Sequence, residues 1–381
     1  MDVLGLSGKI ERIFQLNFEK GEELGASVSV WIDEREIISL ADGYCDRDRV
    51  RPWDDTTLVP VWSATKGLAS ACVLKILDEQ SLSLDVPIVE IWPEFRQSGK
   101  EKINFKDVLT HGAGIPALEE QVSVFNYKEV IKAIEMQVPL WEIGSGHGYH
   151  ARIFGFLLDE IVRRLAGMPL GQYFDENFAV PMGLEFWIGL PQKYYSRVAT
   201  LYPGKMSNPG GEEAFYKAFM DPESLTHKAF GSPTGVGGVS GMNLSNAWSA
   251  GWPAMGGIGT ARALAQFYSM LVNGGEWNGN RIISRSAITL MGEPLVSGFD
   301  KVLCIENAFS AGFMKDRNDL NRRRIFGNSI HAFGHPGAGG SHAFADPENG
   351  LSFAYTMNQM NYGVLPGPKV LDLVDAIYGI E

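Results

Sequence analysis

Apolar positions between residues 8 and 24 recur at Ile10, Ile13, Phe14 and Phe18, a helical spacing that predicts an N-terminal amphipathic helix. The period then shortens. Residues 26–32 and 36–45 are strand-like and are separated by the polar turn Asp33-Glu34-Arg35, so a β-hairpin follows. Residues 54–57 are turn-like, Leu58-Val59-Pro60-Val61-Trp62 is extended and apolar, and Gly67 to Leu77 reads as helix. From about 68 to 180 the pattern is mostly helical, including 105–109 and 152–165, with glycine- and proline-rich loops between. A glycine-dense stretch at 231–259 precedes a helix at 261–273. Strand patterns return at 341–345 and 351–355, and a helix at 370–378 closes the chain. Strands at both ends around a helical middle predict an α+β fold whose sheet is assembled from distant segments. No internal repeat interrupts that reading.

The chemistry lies where the hairpin gives way to helix. Ser63-Ala64-Thr65-Lys66 places a hydroxyl and an amine three residues apart, on one face once the segment turns helical. Of all the lysines, only Lys66 has a serine three positions before it. A serine near a helix N-terminus gains from the helix dipole, and a lysine can deprotonate it if burial or neighbouring charge lowers the amine's pKa. The pair alone is equally compatible with an ordinary first-turn serine and a solvated lysine.

An acyl-transfer site also needs a proton relay and backbone donors for an oxyanion, and two glycine-rich segments could supply them. Gly144-Ser145-Gly146-His147-Gly148-Tyr149 ends in a phenol just before a helix. A neighbouring ammonium would lower that phenol's pKa, so Tyr149 is expected as a phenolate or as half of a lysine/tyrosine base. Phe333-Gly334-His335-Pro336-Gly337-Ala338-Gly339-Gly340 precedes a strand pattern, and the amide of Ala338 could act with that of Ser63. A plain packed tyrosine and a tight turn entering an edge strand are the structural alternatives.

These segments together resemble the serine β-lactamase-like superfamily, particularly class C β-lactamases and family VIII carboxylesterases. Ser63-Ala64-Thr65-Lys66 is similar to its nucleophile motif, Tyr149-His150-Ala151 stands where the family has tyrosine-x-asparagine, and His335-Pro336-Gly337 where lactamases have lysine-threonine-glycine. Residues 109–116 and 256–262 also fit, in order, so the resemblance spans most of the chain. It implies a β-lactamase-like fold with an antiparallel sheet from the N- and C-terminal segments, flanked by helices. Residues 1–80 and 263–381 would form this α/β lobe, and 81–262 a mostly helical lobe, with the active site between. It also implies catalytic roles for Ser63, Lys66 and Tyr149, and oxyanion or substrate contacts from Ser63, His335, Gly337 and Ala338. The departures favour a carboxylesterase: Ala151 lacks an amide, and His335 is mostly neutral where lysine is a fixed cation. β-Lactam hydrolysis, acyl transfer and a non-catalytic binding role on the same fold remain alternatives.

Composition narrows the rest. A net charge of −12 without a long basic block argues against a nucleic-acid partner, and Arg322-Arg323-Arg324 reads as a solvated loop. Cys45, Cys72 and Cys304 match neither a disulfide framework nor a zinc pattern and are expected to be reduced thiols. No secretory signal or membrane-length apolar run is visible, which makes a cytoplasmic, membrane-independent enzyme the expectation. No Gly-x-Ser-x-Gly elbow occurs, and His331 and His335 are separated by Gly334, so neither an α/β-hydrolase nor a zinc helix is predicted. The implied substrate is a small-molecule ester, with no metal or organic cofactor, and nothing in the pattern specifies an oligomeric state.

Overall fold

The computed structural model describes residues 3–204, 212–319 and 323–380. The opening helix α1 spans Val3–Glu19, and the hairpin consists of β1, Gly25–Ile32, and β2, Arg35–Gly43. A short strand β3, Val59–Pro60, leads into helix α2, Thr65–Glu79. The middle of the chain contributes α3 (Phe105–Leu109), α4 (Tyr127–Met136), α5 (Ile153–Ala166), β4 (Phe186–Ile188) and several shorter helices. Beyond it lie β5 (Gly257–Gly259), α6 (Ala261–Val272), β6 (Val296–Phe299), β7 (Glu306–Phe309) and β8 (Met314–Lys315). The final elements are β9 (Phe333–Pro336), β10 (His342–Asp346), β11 (Leu351–Met357) and α7 (Pro368–Ile377).

The large sheet is eight-stranded in the order β2-β1-β11-β10-β9-β8-β7-β6. Its neighbouring strands are antiparallel, and Val28 sits opposite Tyr355 where the N-terminal hairpin meets the C-terminal strand. The expected assembly from distant segments is thus present. Strands β6 to β8 carry no long alternating run and escape the sequence pattern. The turn after Phe333 was open to reading as the entry to an edge strand. Instead β9 is interior, with His335 opposite Ala343 on one side and Gly334 opposite Met314 on the other. A smaller sheet joins β3, β5 and β4, and ties the residues before Ser63 to the glycine-dense segment.

Helix α2 is buried nearly all round, from Thr65 to Leu77 with only Lys75 partly exposed, because it runs through the middle of the molecule. Such a helix cannot be recognised by an amphipathic stripe. Helix α6 packs on β1, β10 and β11, where Ser352 Oγ donates to the Ala265 carbonyl at 2.8 Å. Helices α1 and α7 pack on each other, and Asn17 Nδ2 donates to the Lys369 carbonyl at 3.1 Å. The three cysteines are free, with Cys45 and Cys72 buried. Arg323 pairs with Asp372 and Asp375 on α7, while Arg322 lies outside the described residues. Among the described residues no helix is long and apolar enough to cross a membrane.

The chain ends are further stapled by Glu23 and Lys369, 3.0 Å apart and almost fully buried. Burial raises the Glu23 carboxyl from 4.5 to about 7 despite Lys369 beside it. The folded state therefore holds this proton more tightly than the unfolded chain. The group's contribution to stability is complete below its unfolded pKa and is lost as pH rises through about 7. Glu23→Gln should remove that titration, so that between about pH 5 and pH 8 the wild-type urea midpoint falls relative to the variant's. Parallel midpoints across that range would show that Lys369 keeps the carboxyl ionised.

Candidate active site

Ser63 lies two residues before Thr65, the first residue of α2. Trp62 adopts φ +51°, an uncommon conformation for a bulky residue, and Ala64 is already in the right-handed helical region. Thr65 fixes this corner, since its hydroxyl is bonded to the Trp62 carbonyl at 2.5 Å and accepts from Gly257 N at 2.9 Å. Trp62 bridges to Gly256, and Val61 N donates to Gly257 O at 2.9 Å. The corner leaves Ser63 half-buried, whereas Lys66 is fully buried.

Lys66 Nζ has three polar neighbours. It lies 2.8 Å from the Ala151 carbonyl, 2.9 Å from the Ala254 carbonyl and 3.2 Å from Ser63 Oγ. No carboxylate is among them, and burial lowers its pKa well below 10.5. A neutral amine has two N–H groups and one lone pair. The carbonyls can only accept, so they take the two N–H groups, and the lone pair is left for the Ser63 hydroxyl proton. Ala151, which lacks the family's asparagine side chain, still takes part through its main chain.

Tyr149 is buried, its phenol hydrogen-bonded with the Ser63 side chain and its ring 4.7 Å from Lys66 Nζ. Of the two expected forms the phenolate is disfavoured: burial pushes the phenol up because the charged form would be desolvated, and the Asp300 carboxylate adds to the rise. Tyr149 is thus a neutral hydroxyl that can pass a proton on. Its ring lies against His111, Phe309 and His335, with centroids at 4.8, 6.3 and 5.9 Å.

The segment carrying Tyr149 is pinned from behind by Asp300, a residue that no sequence motif marks. Asp300 Oδ1 accepts from the backbone amides of Tyr149, Val302 and Leu303 at 3.0, 2.9 and 2.8 Å. Asn307 Nδ2 donates to Oδ2 at 3.1 Å, and His147 Nε2 completes the chain at 2.6 Å from Asn307 Oδ1. Since the Asn307 oxygen accepts, His147 carries its proton on Nε2. His111 also belongs to this framework, its Nδ1 accepting from His150 N at 3.1 Å and its carbonyl from Gly148 N at 3.1 Å. The 109–116 segment was legible as a family feature, but these contacts were not.

The His335-Pro336-Gly337-Ala338 segment reaches the same place from the sheet. A Cβ on Gly337 would fall 2.1 Å from the Val61 carbonyl oxygen, so glycine is required for the strand exit to press against the chain just before Ser63. The amides of Ser63 and Ala338 donate to no group among the described residues. The neighbouring amides are taken, Gly337 N by Ser341 O at 2.6 Å and Gly339 N by Gly363 O at 3.0 Å. His335 is buried, and burial pushes its pKa down to about 3, so it is neutral as expected. Ser63, Lys66, Tyr149 and His335 are thus brought together, with Gly337 against Val61 beside them. His331, the other half of the metal alternative, is on an exposed turn before β9.

A buried lysine, a serine and a tyrosine in mutual contact, on a helix start below an antiparallel sheet, can be compared with known proteins. The beta-lactamase family profile matches residues 10–369. The chain belongs to the beta-lactamase family. Within that family, an "Esterase/beta-lactamase LipL" of Mycobacterium tuberculosis is 28% identical over 347 residues, covering 88% of this chain and 77% of the relative. The crystal structure of a family VIII carboxylesterase is 32% identical, with a TM-score of 0.87, and 98% of this chain and 97% of that one are covered. A penicillin-binding protein homologue from Caulobacter crescentus has the same identity, TM-score and coverage. The beta-lactamase fold read from the ordered motifs is the fold observed.

Asp300 gives the most direct test of this architecture. Asp300→Ala leaves three backbone N–H groups and the Asn307 amide without their acceptor, at about 1–3 kcal/mol for each buried group. The variant should lose at least about 3 kcal/mol in urea denaturation. Asp300→Asn, which keeps one acceptor oxygen, should lose less. Equal, small losses for both would mean that the carboxyl does not hold the Tyr149 segment.

Proposed function

We propose that this chain is a serine hydrolase that cleaves short-chain carboxylic esters through an acyl-enzyme on Ser63. The observation that carries the reading is the environment of Lys66, whose hydrogen-bond partners among the described residues are Ser63 Oγ and two carbonyls. That arrangement holds an unprotonated amine against a hydroxyl, as a lysine-based general base requires.

In this mechanism Ser63 Oγ attacks the ester carbonyl as its proton moves to Lys66 Nζ. The resulting oxyanion is held by the amides of Ser63 and Ala338, which have no competing partner among the described residues. Lys66 returns the proton through the Tyr149 hydroxyl to the departing alkoxide, which leaves as the alcohol. Water then attacks the acyl-enzyme by the same relay, releasing the acid and restoring Ser63. The left-handed backbone at Trp62 supports the reading, since strain of this kind collects at functional corners. So do the esterase names among the relatives.

Ester over β-lactam is favoured by Ala151 and by the neutral His335, neither of which offers an amide or a cation to a lactam's polar groups. A cavity of about 360 Å³ is lined by Phe125, Val236, Leu244 and Trp252, none of them a residue of the Ser63 site. Trp252 also accepts the amides of Met255 and Gly256 at 3.2 and 2.8 Å, closing the turn that delivers the Ala254 carbonyl to Lys66. A larger cavity, about 640 Å³ and lined by Phe174, Trp187 and Tyr194, contains none of these residues.

A fluorophosphonate should add covalently to Ser63, and Ser63→Ala should lose both the adduct and the hydrolysis of short aryl esters. Full hydrolysis by Ser63→Ala would refute the mechanism, as would faster turnover of a cephalosporin than of any ester tested. The pH profile is a second test. Lys66 works as the free amine, so kcat/KM should fall with unit slope as pH drops below its lowered pKa and the lone pair is protonated. No alkaline loss from Tyr149 is expected up to about pH 10, because its phenol is shifted upward. Lys66→Arg, permanently charged, should lose roughly 10²–10⁴-fold at every pH.

A further inference from the structure

The cavity of about 640 Å³ lies apart from the residues of the Ser63 site and has the size of a small-molecule pocket, roughly 300–1,000 Å³. One wall is the helical run after α5, formed by Leu170–Phe174, Asp175–Ala179 and Val180–Met182. The turn Asp175–Ala179 is π-helical, wider than an α-helical turn, and it runs into Pro181, which has no N–H to give to one. The other wall is β4 with the short helix Gln192–Arg197. A Cβ on Gly171 would fall 2.0 Å from the Ile188 carbonyl oxygen, so only glycine lets the two walls meet.

Trp187 and Tyr194 give this cavity an aromatic face, with ring centroids 4.6 Å apart and planes inclined at 34°. Both rings pack on the buried cluster of Leu58, Leu190, Val198 and Ile258, which holds the face in place. Two charged residues line the cavity, Asp175 and Lys193. Lys193 Nζ stands 4.8 Å from the centre of the Tyr194 ring, where the electron-rich face attracts a cation. Neither that ammonium nor the Asp175 carboxylate has a hydrogen bond or ion pair with another side chain among the described residues. The charges around them are engaged. Arg197, which also reaches Tyr194, pairs with Glu185 at 2.7 Å, and Glu176 accepts from Gln172 Nε2 at 2.9 Å.

We propose that this cavity binds an aromatic amino acid, with its ring against Trp187, its ammonium at Asp175 and its carboxylate at Lys193. A fixed aromatic face beside one free anion and one free cation is complementary to a ligand that carries a ring and both charges. The ring supplies most of the buried area, and each half-exposed ion pair adds a modest increment, so all three features are needed for selection.

Calorimetric titration of the full chain with L-tryptophan tests this, at about pH 6 so that every free α-amino group is charged. L-Tryptophan should bind saturably. N-Acetyl-L-tryptophan, without the ammonium, and L-tryptophanamide, without the carboxylate, should each bind roughly two- to tenfold more weakly, and L-alanine, without the ring, should not saturate. These two derivatives also stand for the last and first residues of a peptide, so the free amino acid is distinguished from a chain end. Asp175→Asn should weaken L-tryptophan by a similar factor and bind N-acetyl-L-tryptophan no more weakly than the wild type. Lys193→Gln should do the same for L-tryptophan and spare L-tryptophanamide. Both substitutions replace side chains bonded to no other, so the urea midpoint should stay at the wild-type value. Prior reaction of Ser63 with a fluorophosphonate should leave the affinity unchanged. No saturable binding of L-tryptophan up to about 10 mM overturns the proposal, as does an affinity indifferent to both substitutions. Equal binding of either blocked derivative, or loss of binding once Ser63 is blocked, equally overturns it. The titration needs no turnover, so its result stands whether or not the chain hydrolyses an ester.

Discussion

The site depends on an amine kept out of water. Lys66 is fully buried with no counter-charge beside it among the described residues, and the carbonyls of Ala151 and Ala254 provide hydrogen bonds without providing charge. This combination favours the free base, because desolvation penalises the ammonium and nothing compensates it. Helix α2 is buried on every side so that the first-turn lysine can be, and the β3–β5 pairing brings the Ala254 turn within reach. A carboxylate at either carbonyl position would restore the charge and remove the base.

Around this amine the molecule fixes its other groups from different directions. Thr65 locks the helix start, Asp300 holds the Tyr149 segment through three backbone amides, and Gly337 lets the sheet press on Val61. Each anchor is main chain or reaches main chain. The side chains at the centre can therefore be small or neutral without loosening the geometry. The absence of an asparagine at Ala151 follows the same logic, since Lys66 uses only the carbonyl there.

Much of this was legible in the sequence because the informative residues are local. Ser63 and Lys66 are helical neighbours, the hairpin alternates, and the Tyr149 and His335 segments are marked by glycine. What was not legible depends on contacts between distant segments. Asp300 follows a short strand in a polar stretch, and its value comes from amides of a segment about 150 residues earlier. Of the two forms expected of Tyr149, the phenolate is disfavoured for a similar reason: burial, a property of the whole core, penalises the charged form of the phenol and of Lys66 alike. β9 looked like a turn because its glycine and proline weaken the strand signal, yet pairing on both sides makes it interior.

The register of β1 has a consequence for synthesis. This strand is made long before Leu351–Met357, the segment that completes one of its two edges. A growing chain therefore carries β1 and β2 as a hairpin with an open apolar edge while the whole helical middle is being translated. Unpaired edges of this kind recruit other strands. The order of synthesis thus runs against the order of the sheet, and the yield of soluble protein depends on how long that edge stays protected before the last strands emerge.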